Sequence, residues 1–535
     1  MGWPKQASDR LCLLGALIVA LGTILLAGTL WAGSFPLRLA VLPLVLLLPC
    51  GLLVRGCLQA DREGAADAQA GSNLAAVAMI ACVASAYALT FTPGSVPDET
   101  SHYRVSYVYA NLITPGFGPC TMRAQDCEFL KNMRSTVKWE RFEQMDQASL
   151  LCENSQPIEH DLLLYQPLWG NDPEERGLAY MVSTCPAYLK VGSTLGLLVG
   201  RACGLGPLPC FMLGRLGNMA FCCLLIGAAL NIAPMGREAM VAVCLLPMSV
   251  HEIGSLSYDG PILAIALISL ALLLRAITRK DLLGRGELAQ MCASLLLLGP
   301  CKMVYAPLSC LALFIPSSRF ERRGHEALLK VLLVAMPFVG IALFRWDKLS
   351  ALLLGTPAEE AGALDRRMND YGHFYTLRGL LEDVPHMLRM FAATIRARGL
   401  FWVRTMVGGR LAHLQRNLSH FQLVPYLYLL LLLVALPSTS RPRPPAPGLF
   451  DVSCTILFAA TVFCVLLGEA LIWTFDTETL VQGVQGRYFI PALPLLLLPL
   501  TCMRPIKPQV HDLLALVFAG ADVAYLIHVF VCLAG

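Results

Sequence analysis

The chain has 535 residues, of which 56% are hydrophobic and 15% charged, and its formal net charge is +4. An ordinary globular domain carries about 25% charged residues, so a soluble enzyme, a disordered tail and a small disulfide scaffold are excluded. A charge of +4 is also too small to point to a nucleic-acid partner.

Apolar residues fall in blocks from the start: 11–31, 36–58, 73–91 and many later ones. Each is about 18–24 residues long, enough for a helix to cross a hydrocarbon core of about 30 Å. Lipid offers backbone groups no hydrogen-bond partner, so the chain reads as an all-α integral membrane protein. The first block has a short basic lead, Lys5 and Arg10. It exceeds the apolar length of a signal peptide and a second block follows at once, so it reads as a retained anchor.

Basic short segments set the orientation. They are Lys5/Arg10, Arg55/Arg62, Arg237, Arg275/Arg279/Lys280/Arg285, Arg319/Arg322/Arg323/Lys330, Arg441/Arg443 and Arg504/Lys507, and all are placed in the cytoplasm. Three apolar stretches follow the first long polar loop, near 180–200, 209–232 and 237–255. Keeping every basic loop inside makes 180–200, with Pro186 and Lys190, a helix lying on the outer membrane surface. The stretch 287–316 carries Pro300, Lys302 and Pro307 and reads as two short helices turning near Lys302. The resulting architecture has about 13 spans. It divides into an N-terminal hairpin with its cytoplasmic loop (1–72), a core (73–503) with external regions at 92–208 and 346–419, and a last helix (504–535). Within the second external region, 395–414 is basic and aromatic and is another candidate for lying along the surface.

Four polar clusters fall at outer ends of spans. PDETSHY (97–103) places Asp98, Glu99 and His102 just past a span; a helix starting at Asp98 puts His102 on the same face. The plain alternative is a helix cap. GSLSYDG (254–260) offers Tyr258 and Asp259 among serines, or a simple Asp-Gly turn. PCKMVYAP places Lys302 and Tyr305 between apolar flanks, where the ammonium snorkels to water or binds a phosphate. VQGVQGRYFIP (481–491) carries Gln485, Arg487 and Tyr488, a guanidinium fork suited to phosphate oxygens or an interfacial anchor.

No HExxH, zinc-type CxxC, P-loop or Rossmann glycine pattern occurs. Cys120, Cys127, Cys152 and Cys185 lie in polar surroundings and are candidates for two external disulfides or free thiols.

Together, P-DE-x-x-H, S-x-SYD, K-x-x-Y and QGRYF-x-P resemble a bacterial polytopic membrane family of unknown function, itself similar to the GT-C superfamily of integral-membrane glycosyltransferases. Asp98, Glu99 and His102 resemble the acidic first-loop motif of protein O-mannosyltransferases. Ser257, Tyr258 and Asp259 resemble the second external acid of oligosaccharyltransferase catalytic subunits. The resemblance implies a GT-C-like bundle in the cytoplasmic membrane that transfers a sugar, with inversion, from a polyprenyl-phosphate donor to a glycan or lipid acceptor of the cell envelope. It implies Asp98 as base, with Glu99 and His102 beside it, Lys302, Arg487 and Tyr488 on the donor phosphate, and Tyr258, Asp259 and Gln485 orienting substrate. Asp98 and Asp259 are the candidate ligands if a divalent cation (Mg or Mn) takes part. A flippase or transporter of lipid-linked sugars, a glycan polymerase or ligase, and a non-catalytic scaffold are the competing readings. Polar groups gathered at span ends, rather than mid-membrane, favour surface chemistry, with Glu469 and His528 as exceptions.

Overall fold

The structure is a computed structural model. It describes residues 65–135, 185–346, 374–435, 442–501 and 514–522, apart from positions 92, 95, 116, 117, 119, 120, 322, 409, 410, 412–419 and 443. The expected N-terminal hairpin, with Lys5/Arg10 and Arg55/Arg62, lies outside the described residues, as do Cys120, Cys152 and His528. Among the described residues the elements are helical, with one isolated bridge between Phe374 and Phe475.

Two long helices form the frame. α1 (Ala65–Thr90) runs antiparallel to a helix at Pro207–Ile232, which is α5 in chain order. Asn73 Nδ2 donates to Asn231 Oδ1 at 2.6 Å at one end, and Arg215 Nη1 donates to Ala88 O and Phe91 O at 2.7 Å at the other. The first turns of α5 therefore project past the end of α1. Three shorter helices pack on this projection: α2 (Glu99–Ile113), α3 (Ala124–Ser135) and α4 (Val191–Ala202). Ser106 and Ser193 hydroxyls share a 2.7 Å hydrogen bond, and Arg201 Nη1 donates to Asn111 Oδ1 at 3.0 Å.

The expectation that 180–200 lies flat on the membrane is corrected. Gly192, Gly196 and Gly200 face Gly217, Leu213 and Cys210 in turn, so α4 runs antiparallel along α5. A helix lying across α5 would meet it at one point. Three glycines spaced four apart instead bring the two backbones into contact over their whole shared length.

The segment expected as one span at 237–255 is two helices, α6 (Arg237–Cys244) and α7 (Pro247–Ile253), because Pro247 starts a new helix. α8 (Asp259–Thr278) follows, then α9 (Arg285–Cys301), a 3-10 segment (Met303–Phe314) and α10 (Arg323–Phe344). The chain breaks at Lys302 as Pro300 and Pro307 foretell. α9 and α10 also touch backbone to backbone, since a side chain on Gly299 would strike Pro337 O and one on Gly340 would strike Leu296 O. The remainder comprises α11 (Leu377–Glu382), α12 (Val384–Met406), α13 (His420–Ala435), α14 (Pro447–Ile472), a 3-10 turn (Gly486–Ala492), α15 (Leu493–Leu497) and a final 3-10 turn (Leu498–Leu500).

Where sequence leads to about 13 spans, five helices among the described residues are long and apolar enough to cross a membrane: 71–88 within α1, then α5, α8, 324–344 within α10, and α14. The outer faces of α10 and α14 expose Leu328, Phe338, Leu343, Leu449, Val452 and Ile456, an apolar surface that lipid, not water, accommodates. The buried Arg319 holds Glu287 at 2.7 Å and Asp281 at 3.6 Å. This basic end lies one length of α8, about 30 Å, from Asp259. The two-disulfide option also fails, because Cys185 is a buried free thiol.

The glycine contact between α4 and α5 is open to test. Gly196→Val should cost about 1–3 kcal/mol and lower the melting temperature of the detergent-solubilised protein. Gly286→Ala, where an added Cβ meets nothing within 4 Å, should leave it unchanged.

Candidate functional site

The first acid sits in a strained turn. Asp98 takes the left-handed conformation (φ 61°) at the N-cap of α2, yet its side chain makes no capping bond there. Asp tolerates this region better than most residues, but the helix start gains nothing from the carboxylate. It is turned instead toward Arg487, with Oδ2 at 3.0 Å from Nη2, and is 60% exposed. The capping explanation of this motif thus accounts for the residue's position and not for its side chain.

Glu99, beside it, is committed elsewhere. Its carboxylate takes bidentate bonds from Arg215 (2.8 and 2.7 Å) and backbone N–H bonds from Gly94 (3.0 Å) and Leu256 (3.1 Å). Both side chains are fully buried. With its lone pairs occupied, Glu99 holds the post-α1 loop, α5 and the SLSYDG turn together.

That turn is clamped from several sides. Asn218 Nδ2 donates to Ser255 O (2.8 Å) and Ser257 O (3.1 Å), and Lys190 Nζ donates to Leu256 O (2.6 Å). Ser257 Oγ accepts from the Asp259 N–H at 3.1 Å, which starts α8 with the Asp259 carboxylate facing the cluster. Gly254 allows the approach, since a Cβ there would overlap Ala84 O.

Lys302 and Arg487 meet this carboxylate from two further elements. Lys302, extended between α9 and the 3-10 segment, bonds Asp259 Oδ1 at 2.7 Å and lies 4.2 Å from the Tyr488 ring centroid and 5.2 Å from that of Tyr258. Arg487 places Nε 3.4 Å from Asp259 Oδ2 and Nη1 3.2 Å from Glu252 Oε1. Tyr305 Oη donates to Tyr488 O at 3.0 Å, so the K-x-x-Y pair both supplies a cation and pins the backbone beside Arg487. Gly486 lets the start of that 3-10 turn press against α12, where its N–H donates to Thr405 Oγ1 at 3.0 Å and a side chain would strike Trp402 O. Among the described residues Gln485 Oε1 is buried with no partner, an acceptor still open to a ligand.

His102 packs edge-on against Tyr258 with ring centroids 4.4 Å apart. Burial, reinforced by the charges of Lys190, Arg487 and Lys302, holds its imidazole well below the ordinary value, so the ring is neutral near pH 7. Burial also pushes the Lys190 ammonium down to about 8, against the pull of the Cys185 thiol and of Asp259.

The structure therefore brings together Asp98, Tyr258, Asp259, Lys302, Arg487 and Tyr488, with His102 and Gln485 alongside, and assigns Glu99 to the framework. Sequence reasoning missed Glu252, Lys190, Arg215 and Asn218. Charged residues inside otherwise apolar runs, Arg215 and Glu252 above all, were the available signal. Among the described residues no three His, Cys, Asp or Glu side chains gather as ligands, and Asp98 and Asp259 already face Arg487 and Lys302.

The family described as "Predicted membrane protein (DUF2142)" matches residues 82–496, which include every residue of the cluster. The chain belongs to the DUF2142 family. It is accordingly a membrane protein, and the family description names no reaction. No curated protein and no solved structure matches it.

Two outcomes separate framework from chemistry. Removing one partner of a buried ion pair costs about 3–5 kcal/mol, so Arg215→Met should destabilise the protein strongly, while Asp98→Asn should leave its melting temperature near that of the wild type. The Lys190 shift has a defined sign. Below about pH 8 the amine is charged in both folded and unfolded states; between about 8 and its ordinary value of 10.5 only the unfolded chain holds the proton. Its contribution to stability therefore rises with pH across that window, and Lys190→Met should flatten the rise in melting profiles at pH 7 and pH 9.5.

Proposed function

We propose that this protein is a membrane glycosyltransferase of GT-C type, moving a sugar from a polyprenyl-phosphate donor to a cell-envelope glycan or lipid acceptor on the outer face of the cytoplasmic membrane. The observation that carries the reading is a buried guanidinium, Arg487, facing three carboxylates, with Lys302 beside it and Asp98 open to solvent. The positive-inside pattern supports the side, since the basic loops lie at the opposite end of α8.

The chemistry follows from charge. A donor phosphate entering the cluster takes the Lys302 ammonium and the Arg487 fork, which match phosphate oxygens in charge and geometry. It then competes with Asp98 for Arg487 and neutralises the cation that held the carboxylate. Asp98 becomes the stronger base and accepts the proton of an acceptor hydroxyl. That oxygen attacks the anomeric carbon from the face opposite the phosphate, the bond from carbon to phosphate oxygen breaks, and its electron pair leaves with the phosphate. The products are an inverted glycoside and polyprenyl phosphate. Lys302 and Arg487 stabilise the charge developing on the leaving group. Glu252 and Asp259 hold the two cations in place when the site is empty, and Tyr258, supported by neutral His102, lines the approach with Tyr488 and Gln485.

Purified protein in liposomes, supplied with radiolabelled polyprenyl-phosphate sugars and envelope acceptors, tests the proposal. Asp98→Asn should lower transfer by about 10²–10⁴-fold, the range for a general base, while donor binding persists. Arg487→Gln should lose donor binding. Transfer at wild-type rate by Asp98→Asn sinks the assignment, and movement of labelled lipid between leaflets without transfer points to a carrier instead.

A further inference from the structure

α12 runs across the bundle end rather than along any one helix. Phe391 stacks edge-on with Phe463 of α14 (centroids 5.4 Å apart), Trp402 meets Phe489 (5.3 Å), and a side chain on Gly408, just past the helix, would strike Pro247 at the start of α7. Met387, Met390, Phe391, Thr394, Trp402 and Thr405 form the side buried in the protein.

The outward side divides into two flanks. Val384, Leu388 and Ile395, 38%, 50% and 46% exposed, recur at helical spacing along one of them. Arg389 and Arg396 stand seven residues apart on the other. No acid occurs anywhere between 384 and 406. Among the described residues no partner outside the helix meets Arg389 or Arg396; Arg389 Nε reaches only Pro385 O in its own first turn, at 3.3 Å. An apolar flank beside a basic one, on a helix that crosses the ends of spans, is the pattern of a helix lying in the membrane interface.

We propose that the outward side of α12 docks on anionic phospholipid headgroups of the leaflet at the site end, with Val384, Leu388 and Ile395 facing the acyl boundary and Arg389 and Arg396 binding phosphates. The lipid is chosen by charge complementarity: two cations with no partner outside the helix among the described residues, no acid between 384 and 406, and a bilayer that already surrounds the protein. The inference does not rest on the transferase reading and fails or stands separately from it.

Native mass spectrometry of the full-length protein, released from nanodiscs of mixed phosphatidylglycerol and phosphatidylcholine, tests it. The wild type should retain phosphatidylglycerol in preference, and each arginine replaced by glutamine should lower that preference by about five-fold. The double variant Arg389→Gln/Arg396→Gln should approach parity, and the corresponding double lysine variant should keep the preference. Melting temperatures in detergent identify any misfolded variant, in which case the two single variants give the reading. Equal retention of both lipids by the wild type, or an undiminished preference in the glutamine variants, overturns the proposal.

Discussion

One buried cation organises the functional end of this protein. Arg487 is only 4% exposed and faces Asp98, Glu252 and Asp259, which come from the post-α1 turn, α7 and the start of α8. A guanidinium cannot shed its proton to escape burial, and an unpaired charge inside a protein costs several kcal/mol. The buried carboxylates of Glu252 and Asp259 are therefore a condition for folding Arg487 where it lies, the exposed Asp98 is its third partner, and the guanidinium in turn draws three separate segments to one point. Lys302 extends the same constraint to a fourth.

A second ion pair sets the frame around the first. Glu99 and Arg215 are fully buried against each other, and Glu99 also receives two backbone N–H groups. Adjacent acids, Asp98 and Glu99, thus divide the labour. One is saturated and anchors three segments; the other sits in a left-handed turn with its oxygens turned to Arg487 and solvent. Strain of this kind at a non-glycine residue persists where surrounding contacts over-determine it, and the Glu99 anchor one residue away supplies them.

Much of this was legible in the sequence because lipid leaves so few choices. Apolar blocks had to be helices, Pro300 and Pro307 had to break the chain at Lys302, and polar residues at span ends had few places to go except toward one another. The roles inside a motif were less legible. Nothing in the order Asp-Glu says which carboxylate a distant arginine will take, because that depends on Arg215 lying one helix away. Glu252 was hidden for a similar reason: in sequence it is one charge in a run of apolar residues, and only folding shows the guanidinium opposite. The error at 180–200 came from keeping every basic loop inside and from taking Pro186 and Lys190 as marks of a surface helix, while its glycines went unread as contacts. The glycines are contact points against α5, and Lys190 is buried on the Leu256 carbonyl.

The backbone-to-backbone meeting of α9 and α10 has a mechanical consequence. Pro300 and Pro337 lie one residue after Gly299 and three before Gly340, and the carbonyls of Leu296 and Pro337 press on those glycines. With no side chains between them to change rotamer, the two helices have no cushion to compress, and Lys302, one turn above, is carried at a fixed height. Any breathing of the cluster must then come from its other walls, and Asp98, 60% exposed, is the member that already stands open.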